Sequence, residues 1–231
     1  MLKIGGLTSF SATDYPGMIS AVVFVQGCPW RCGYCHNPHL QPRLADSPLE
    51  RSRIHALLER RIGLIDAVVF SGGEPTMDPA LPEAIAEVRA MGFKVGLHSG
   101  GIYPARLREV LPLIDWIGLD IKAPFDERYD RVTGAHGSAR GALESLQTVL
   151  ASGVDHECRT TVHPALLSET DLVELAHTLS GMGVEKYALQ VFRAQGCDND
   201  ALKAATVSGY PGNDVITKIA ALFPNFTLRG G

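Results

Sequence analysis

Short apolar segments that alternate with amphipathic segments constrain the fold of this chain more than any other feature. The six segments predicted as strands cover residues 20–26, 66–70, 93–97, 115–121, 155–162 and 187–192. Between them lie stretches with apolar residues at helical spacing, and Ser47 (in a capping box with Glu50) and Ser168 are placed to cap two of these helices. About six β–α units of this kind predict a parallel sheet covered by helices.

The chain length decides between the parallel architectures. A closed barrel of eight β–α units usually needs about 250 residues, whereas the chain has 231 residues. We therefore expect an α/β fold of the partial (β/α)6 TIM-like barrel type, and a doubly wound open sheet is the alternative. No low-complexity linker divides the sequence, so we expect one domain over residues 1–231, with a core at about 18–195 and a C-terminal helix and short strand within 199–229.

Charge and hydropathy exclude several classes of partner. The net charge is −4 at pH 7, which argues against an extended basic surface for nucleic acid. No apolar run approaches the ~20 residues of a membrane span, and residues 1–10 lack the apolar segment of a secretory signal. We therefore expect a cytoplasmic protein without nucleic-acid or membrane partners. In that compartment the five cysteines are expected as metal ligands or buried thiols rather than disulfides.

Three of the five cysteines fall in one short loop. Cys28, Cys32 and Cys35 have the spacing C-x3-C-x2-C directly after the first predicted strand. Their thiolates can converge on one metal centre, and soft sulfur ligands suit iron–sulfur clusters or zinc. A structural zinc site needs a fourth ligand, for which the candidates are His36, His39, Cys158 and Cys197. The paired C-x2-C knuckles of a zinc ribbon are missing, which favours a cluster with one open iron.

The residues around the cysteines resemble a known superfamily. The C-x3-C-x2-C spacing with an aromatic residue, Tyr34, before the third cysteine resembles the radical S-adenosylmethionine (SAM) superfamily. The extension over residues 34–38 (YCHNP) resembles the activating enzymes of glycyl radical enzymes. The lead-in over residues 14–26 is most similar to the anaerobic ribonucleoside-triphosphate reductase activating proteins. This resemblance implies a [4Fe–4S] cluster on Cys28, Cys32 and Cys35, with the amino and carboxylate groups of SAM on the fourth iron.

The resemblance also implies contacts to SAM at the ends of the later strands. Residues 71–76 (SGGEPT) resemble the family motif whose backbone meets the SAM amino group, although alone they suit a plain β–α turn. Asp120 and Lys122 resemble a family Asp-x-Lys segment that contacts SAM; they share one strand face, and an ion pair is the alternative. His98 stands where pyruvate formate-lyase activating enzymes begin Asp-Thr-Asn-Gly, so a cation site there is in doubt. The predicted SAM-binding residues are Tyr34, Gly72, Gly73, Glu74, Ser99, Asp120, Lys122, Arg159, Gln190 and Arg193.

The activity implied by the resemblance is activation of a partner enzyme. A flavodoxin or ferredoxin-like donor reduces the cluster, SAM is cleaved to methionine and a 5′-deoxyadenosyl radical, and that radical removes hydrogen from a partner glycine. The resemblance favours anaerobic ribonucleotide reductase as the partner. The alternatives are an activator of the pyruvate formate-lyase type, a radical SAM enzyme for a small molecule, and a non-catalytic zinc-binding module. Cys158 and Cys197 are expected to lie outside the cluster.

Overall fold

Eight strands form one sheet in sequential order. The computed structural model describes residues 1–205 and 208–230. The strands are β1 (Ile4–Ser11), β2 (Ser20–Val25), β3 (Ala67–Gly72), β4 (Lys94–Ser99), β5 (Trp116–Asp120), β6 (Asp155–Val162), β7 (Lys186–Val191) and β8 (Asn225–Arg229). β1 is antiparallel to β2, and all later neighbours are parallel. The order β1 to β8 has no reversal, which excludes a doubly wound sheet and confirms the predicted partial barrel.

The helices follow the predicted pattern with two additions. They are α1 (Arg51–Glu59), α2 (Leu81–Ala90), α3 (Pro104–Val110), α4 (Glu127–Thr133), α5 (Ser138–Ser152), α6 (Glu169–Gly181), α7 (Asp200–Ala204) and α8 (Asn213–Ala220). The short α4 and α7 were not predicted, and neither was β1. Among the described residues, no helix has the length and apolar character needed to cross a membrane.

The two predicted helix caps have different outcomes. Ser168 caps α6 as expected, in a capping box with Asp171. The capping box predicted at Ser47 is wrong, because α1 begins only at Arg51. The Ser47 hydroxyl donates instead to the carbonyl oxygen of Ile4 at 2.8 Å, which ties this loop to β1.

A small apolar cluster fills the barrel interior near the first residues of the strands. Tyr15, from the turn between β1 and β2, packs against Trp116 of β5 with ring centroids 5.1 Å apart. Gly96 of β4 leaves the space for this ring, because a Cβ atom there would lie 3.0 Å from Tyr15 Cδ1. The main core lies between the sheet and the helices. The small apolar cluster, which we call the plug, fills the end of the barrel where the strands begin. A site can therefore form at the other end, where the strands have their carboxyl ends.

The Tyr15→Ala variant tests this plug. We expect its free energy of unfolding to fall by about 3 kcal/mol, because the substitution empties a buried aromatic position. Phe10→Ala is the control: Phe10 is 57% exposed, so a change below about 0.5 kcal/mol is expected. Urea unfolding measures both, and equal losses in the two variants would contradict a packed interior.

Candidate functional site

The predicted site residues meet at one cavity at the carboxyl ends of the strands. The cavity has a volume of about 240 Å³, and the three clustered cysteines line it. Nine of the ten predicted SAM-binding residues also line it, namely Tyr34, Gly72, Gly73, Glu74, Ser99, Asp120, Lys122, Arg159 and Gln190. Arg193 lines an adjoining chamber instead. The structure therefore brings together residues from β3 to β7 and the cysteine loop, while their contacts to SAM stay predictions.

The cysteine loop, residues 27–38, is held in place by the end of α4. The backbone N–H of Arg31 donates to the carbonyl oxygen of Thr133 at 2.7 Å, and that of Gly33 donates to Val132 at 3.3 Å. These carbonyls belong to the last turn of α4, which has no further intrahelical donors for them. Helix α4, which the sequence pattern did not reveal, is thus part of the framework of the site.

The chemistry of the three thiols fits an iron–sulfur cluster. All three are free and half-buried. Burial, with a smaller contribution from Glu74, raises the pKa of the Cys28 thiol to about 12, and burial also raises the pKa of Cys32. Thiolates at these positions therefore need the positive charge of bound metal. Three soft donors around a cavity of this size suit a [4Fe–4S] cluster with three protein ligands.

A single metal ion suits the site less well. Within residues 1–205 and 208–230, no three His, Cys, Asp or Glu side chains are arranged to hold one ion. A four-iron cluster is larger than one ion and joins sulfur atoms that lie further apart. Three thiols on one loop match the number of protein ligands of a [4Fe–4S] cluster with one open iron, whereas a structural zinc site takes four ligands.

The glycines at the end of β3 are required by the neighbouring backbone. Gly72 has φ +109°, and a Cβ atom on it would lie 2.6 Å from the carbonyl oxygen of Val25. A Cβ atom on Gly73 would lie 2.3 Å from the carbonyl oxygen of Gly27. The close approach that these glycines allow is thus to β2 and the start of the cysteine loop, which holds the loop against β3.

Glu74 joins the ends of β3 and β4. Its carboxylate is 1% exposed and accepts from the hydroxyls of Thr76 at 2.6 Å and Ser99 at 2.8 Å, and from the backbone N–H of Gly100 at 2.9 Å. Burial raises the pKa of Glu74, while these donors partly offset the shift. The Ser99 hydroxyl is directed at Glu74, so both side chains brace the cavity wall.

Glu74→Gln is expected to lower the free energy of unfolding by about 2 kcal/mol. The amide replaces one acceptor oxygen with a donor NH2 group, so at least one buried donor loses its partner. Glu83→Gln is the control, because the Glu83 side chain is 65% exposed. Chemical denaturation measures both variants, and wild-type stability of Glu74→Gln would show that these hydrogen bonds contribute nothing.

Asp120 lies between two cations. It accepts from Lys122 Nζ at 3.0 Å and from Arg159 Nε at 2.9 Å. Gly118 leaves space for the Arg159 guanidinium, because a Cβ atom there would lie 2.6 Å from Arg159 Cζ. An ion pair between Asp120 and Lys122 is thus present, and the contact of these two residues with SAM stays a prediction. Asp120 carries one negative charge against the two positive charges of Lys122 and Arg159, so the three side chains together have a net charge of +1.

The Tyr34 hydroxyl is buried at the cavity without a hydrogen-bond partner among the described residues. The ring packs near Lys122, whose Nζ lies 5.5 Å from the ring centroid. Buried hydroxyls in folded proteins nearly always have a partner. Beside Lys122, this hydroxyl is therefore available to a group bound at this wall of the cavity.

His98 fastens the turn between β1 and β2 to the barrel. Its Nε2–H donates to the carbonyl oxygen of Asp14 at 2.8 Å, so its Nδ1 accepts from the Ser71 hydroxyl at 3.2 Å. Burial and the charge of Arg159 lower the pKa of His98 to about 4. The imidazole is therefore neutral, and both of its nitrogens have partners in the fold.

An outer chamber of about 520 Å³ adjoins the cavity. The two spaces adjoin, because six residues line both of them, namely Asp14, His36, His98, Arg159, Thr161 and Gln190. The chamber lies between the β1–β2 turn and the ends of β7 and β8, where the two edges of the sheet face each other. This chamber, which we call the side opening of the barrel, lies beside the cysteine-lined cavity.

Comparison with known proteins shows the family to which this chain belongs. The model of the radical SAM superfamily matches residues 22–179, which is more than half of the chain. The chain belongs to the radical SAM superfamily. The cofactors of this superfamily are a [4Fe–4S] cluster and SAM, which agrees with the donor set and the cavity.

Two curated relatives indicate which group of radical SAM proteins this chain is related to. A Methanocaldococcus jannaschii protein, whose name assigns it to the glycyl-radical enzyme activating enzymes, is 30% identical over 87% of this chain and 84% of its own length. The pyruvate formate-lyase-activating enzyme of Clostridium pasteurianum is 30% identical over 85% of this chain and 84% of its length. The radical SAM protein described here is thus related to the activating enzymes of glycyl radical enzymes.

Solved structures of low identity share the fold. QueE from Escherichia coli has a TM-score of 0.59 at 16% identity and matches 99% of this chain and 93% of its own. SuiB from Streptococcus suis, bound to its precursor peptide, has a TM-score of 0.70 at 14% identity and matches 90% of this chain. The radical SAM chain spans about half of SuiB, 48% of its length.

Proposed function

We propose that this radical SAM enzyme generates a glycyl radical on a partner enzyme, and that the partner is an anaerobic ribonucleotide reductase. The observation that carries the proposal is that the cysteine-lined cavity and the side opening of the barrel adjoin and share six lining residues. The relatedness to activating enzymes supports the reaction class. The similarity of residues 14–26 to activators of that reductase supports the choice of partner.

Different side chains around the cavity would bind the cluster and SAM. When bound, the cluster and SAM supply one-electron cleavage and removal of a hydrogen atom. Cys28, Cys32 and Cys35 hold the cluster, and the unpaired Tyr34 hydroxyl is free to bond a cofactor group. The surplus positive charge at Asp120, Lys122 and Arg159 attracts the SAM carboxylate. Gln190 lines the cavity and would contact SAM there, whereas Arg193 lines the side opening.

The side opening suits an extended protein segment as substrate. The chamber is bounded by the β1–β2 turn on one side and by the ends of β7 and β8 on the other. A chain segment that carries glycine can pass through such a gap, since glycine has no side chain to obstruct the approach. A flavodoxin or ferredoxin-like protein in the cytoplasm is the proposed reductant, and neither nucleic acid nor a membrane is part of the proposed reaction.

A choice between partners tests the proposal. The reconstituted enzyme, a chemical reductant and SAM are incubated without oxygen with either an anaerobic ribonucleotide reductase or a pyruvate formate-lyase. We expect a glycyl doublet in electron paramagnetic resonance with the reductase. A doublet with the lyase alone would transfer the proposal to that partner, for which the Clostridium pasteurianum relative is the precedent. SAM cleavage without a doublet on either protein would favour a small-molecule substrate.

A further inference from the structure

Residues 192–202, which we call the strap, run from the end of β7 into α7 and contact the cysteine loop. His163, fully buried, fixes both ends of this strap. Its ring centroid lies 5.0 Å from that of Phe192 in an edge-to-face arrangement. Its Nε2–H donates to the carbonyl oxygen of Leu202 at 3.1 Å, and its Nδ1 accepts from the N–H of Ala165 at 3.0 Å. The strap is therefore anchored to the barrel by one residue after β6.

The strap contacts the cysteine loop at His36. The Nε2–H of His36 donates to the carbonyl oxygen of Arg193 at 3.0 Å. The imidazole also stacks on Phe192 with ring centroids 5.8 Å apart. Gly196, at φ +83°, passes so close that a Cβ atom on it would lie 2.6 Å from the carbonyl oxygen of His36. Phe192 is thus packed between His36 of the loop and His163 of the barrel.

A second contact lies at Gly33. The Cys197 thiol points at the carbonyl oxygen of Gly33 with a sulfur–oxygen distance of 3.7 Å, and its sulfur accepts from the N–H of Asn199 at 3.4 Å. Gly33 follows Cys32, and His36 follows Cys35. The strap therefore holds the loop at the residue directly after each of two cluster cysteines.

We propose that the strap positions the cysteine loop for the cluster, with His36, Gly196 and Cys197 as positioning residues. The last turn of α4 holds the loop through the N–H groups of Arg31 and Gly33, and the strap holds it through the Gly33 carbonyl oxygen and the His36 imidazole. None of the three positioning residues supplies a cluster ligand. Loss of one contact lets Cys32 or Cys35 move, which loosens the cluster without removing a thiol. The proposal does not depend on which partner is activated.

Two glycines give a matched test. Gly196 and Gly183 both have positive φ, +83° and +91°, but a Cβ atom on Gly183 meets nothing within 4 Å. Gly196→Ala and Gly183→Ala thus both place alanine at a left-handed φ, and only the first brings a Cβ atom against His36. After reconstitution we expect Gly183→Ala to hold wild-type iron and sulfide. We expect Gly196→Ala to lose its cluster absorbance in air about fivefold faster or more.

Substitutions at Cys197 test the second contact between the strap and the cysteine loop. Cys197→Ala removes the donor to Gly33 and is expected to accelerate cluster loss in air about threefold. Cys197→Ser keeps a hydroxyl donor and is expected to restore part of the difference. Circular dichroism melting of the apoproteins controls for folding. Wild-type rates of cluster loss and an unchanged signal of the reduced cluster in both Gly196→Ala and Cys197→Ala would overturn the proposal.

Discussion

Replacing Cys32 by alanine is expected to leave less than about a tenth of the wild-type iron and sulfide after anaerobic reconstitution. A three-thiolate cluster site has no spare ligand, and loss of one thiolate leaves two irons without protein ligands. The same result is expected for Cys28→Ala and Cys35→Ala. Iron and sulfide analysis with the absorbance spectrum measures the change, and SAM cleavage is expected to be lost in parallel.

Cys158→Ala is the matched control for this result. Cys158 is fully buried on β6, and burial raises the pKa of its thiol to about 12. Its substitution is expected to keep full iron and sulfide while costing about 1 kcal/mol of stability. A complete cluster in Cys32→Ala, or a lost cluster in Cys158→Ala, would show that the ligands are assigned to the wrong cysteines.

Asp120→Asn has the second largest expected effect. The amide keeps the shape of the side chain but leaves Lys122 and Arg159, 12% and 8% exposed, without their shared counter-charge. We expect the free energy of unfolding to fall by about 3 kcal/mol, the low end for a broken buried ion pair, because the Asp120 side chain is 29% exposed. Urea unfolding of the apoprotein measures the loss.

The pH dependence of stability gives an independent check on Asp120. Burial alone would raise its pKa, but Arg159 and Lys122 hold the pKa well below its ordinary value. Its contribution to stability is therefore present above about pH 4 and lost as the pH falls below that. Asp120→Asn should accordingly flatten the acid limb of the stability curve. Asp155→Asn, which breaks an exposed pair with Lys186, should change stability by less than about 1 kcal/mol, and equal effects would contradict the buried pairing.

Local sequence patterns predicted the repeating part of the fold well. Six of the seven parallel strands, β2 to β7, were predicted from the sequence pattern, and Ser168 indicated the start of α6 through its capping box. Ser47 carries the same local signal, yet its hydroxyl bonds to β1. Helix α4 has only seven residues, too few for a clear apolar period. Tertiary contacts decide both cases, and single-sequence patterns do not contain them.

The site was predictable where its residues are close in sequence. The spacing of the three cysteines identified the cluster loop, and the ends of consecutive strands supplied the cavity wall. The pairing of Arg159 with Asp120 was not predicted, because it joins residues 39 positions apart. His163 was not predicted either, since its partners Phe192 and Leu202 belong to the distant strap. Arg193, which follows β7, lines the outer chamber and not the cavity.

Transfer of a hydrogen isotope tests the central proposal most directly. A partner reductase with its glycines deuterated at Cα is incubated with the reconstituted enzyme, SAM and reductant without oxygen. We predict that 5′-deoxyadenosine gains one deuterium for each glycyl radical detected by electron paramagnetic resonance. Formation of 5′-deoxyadenosine without deuterium and without a glycyl doublet would contradict the account.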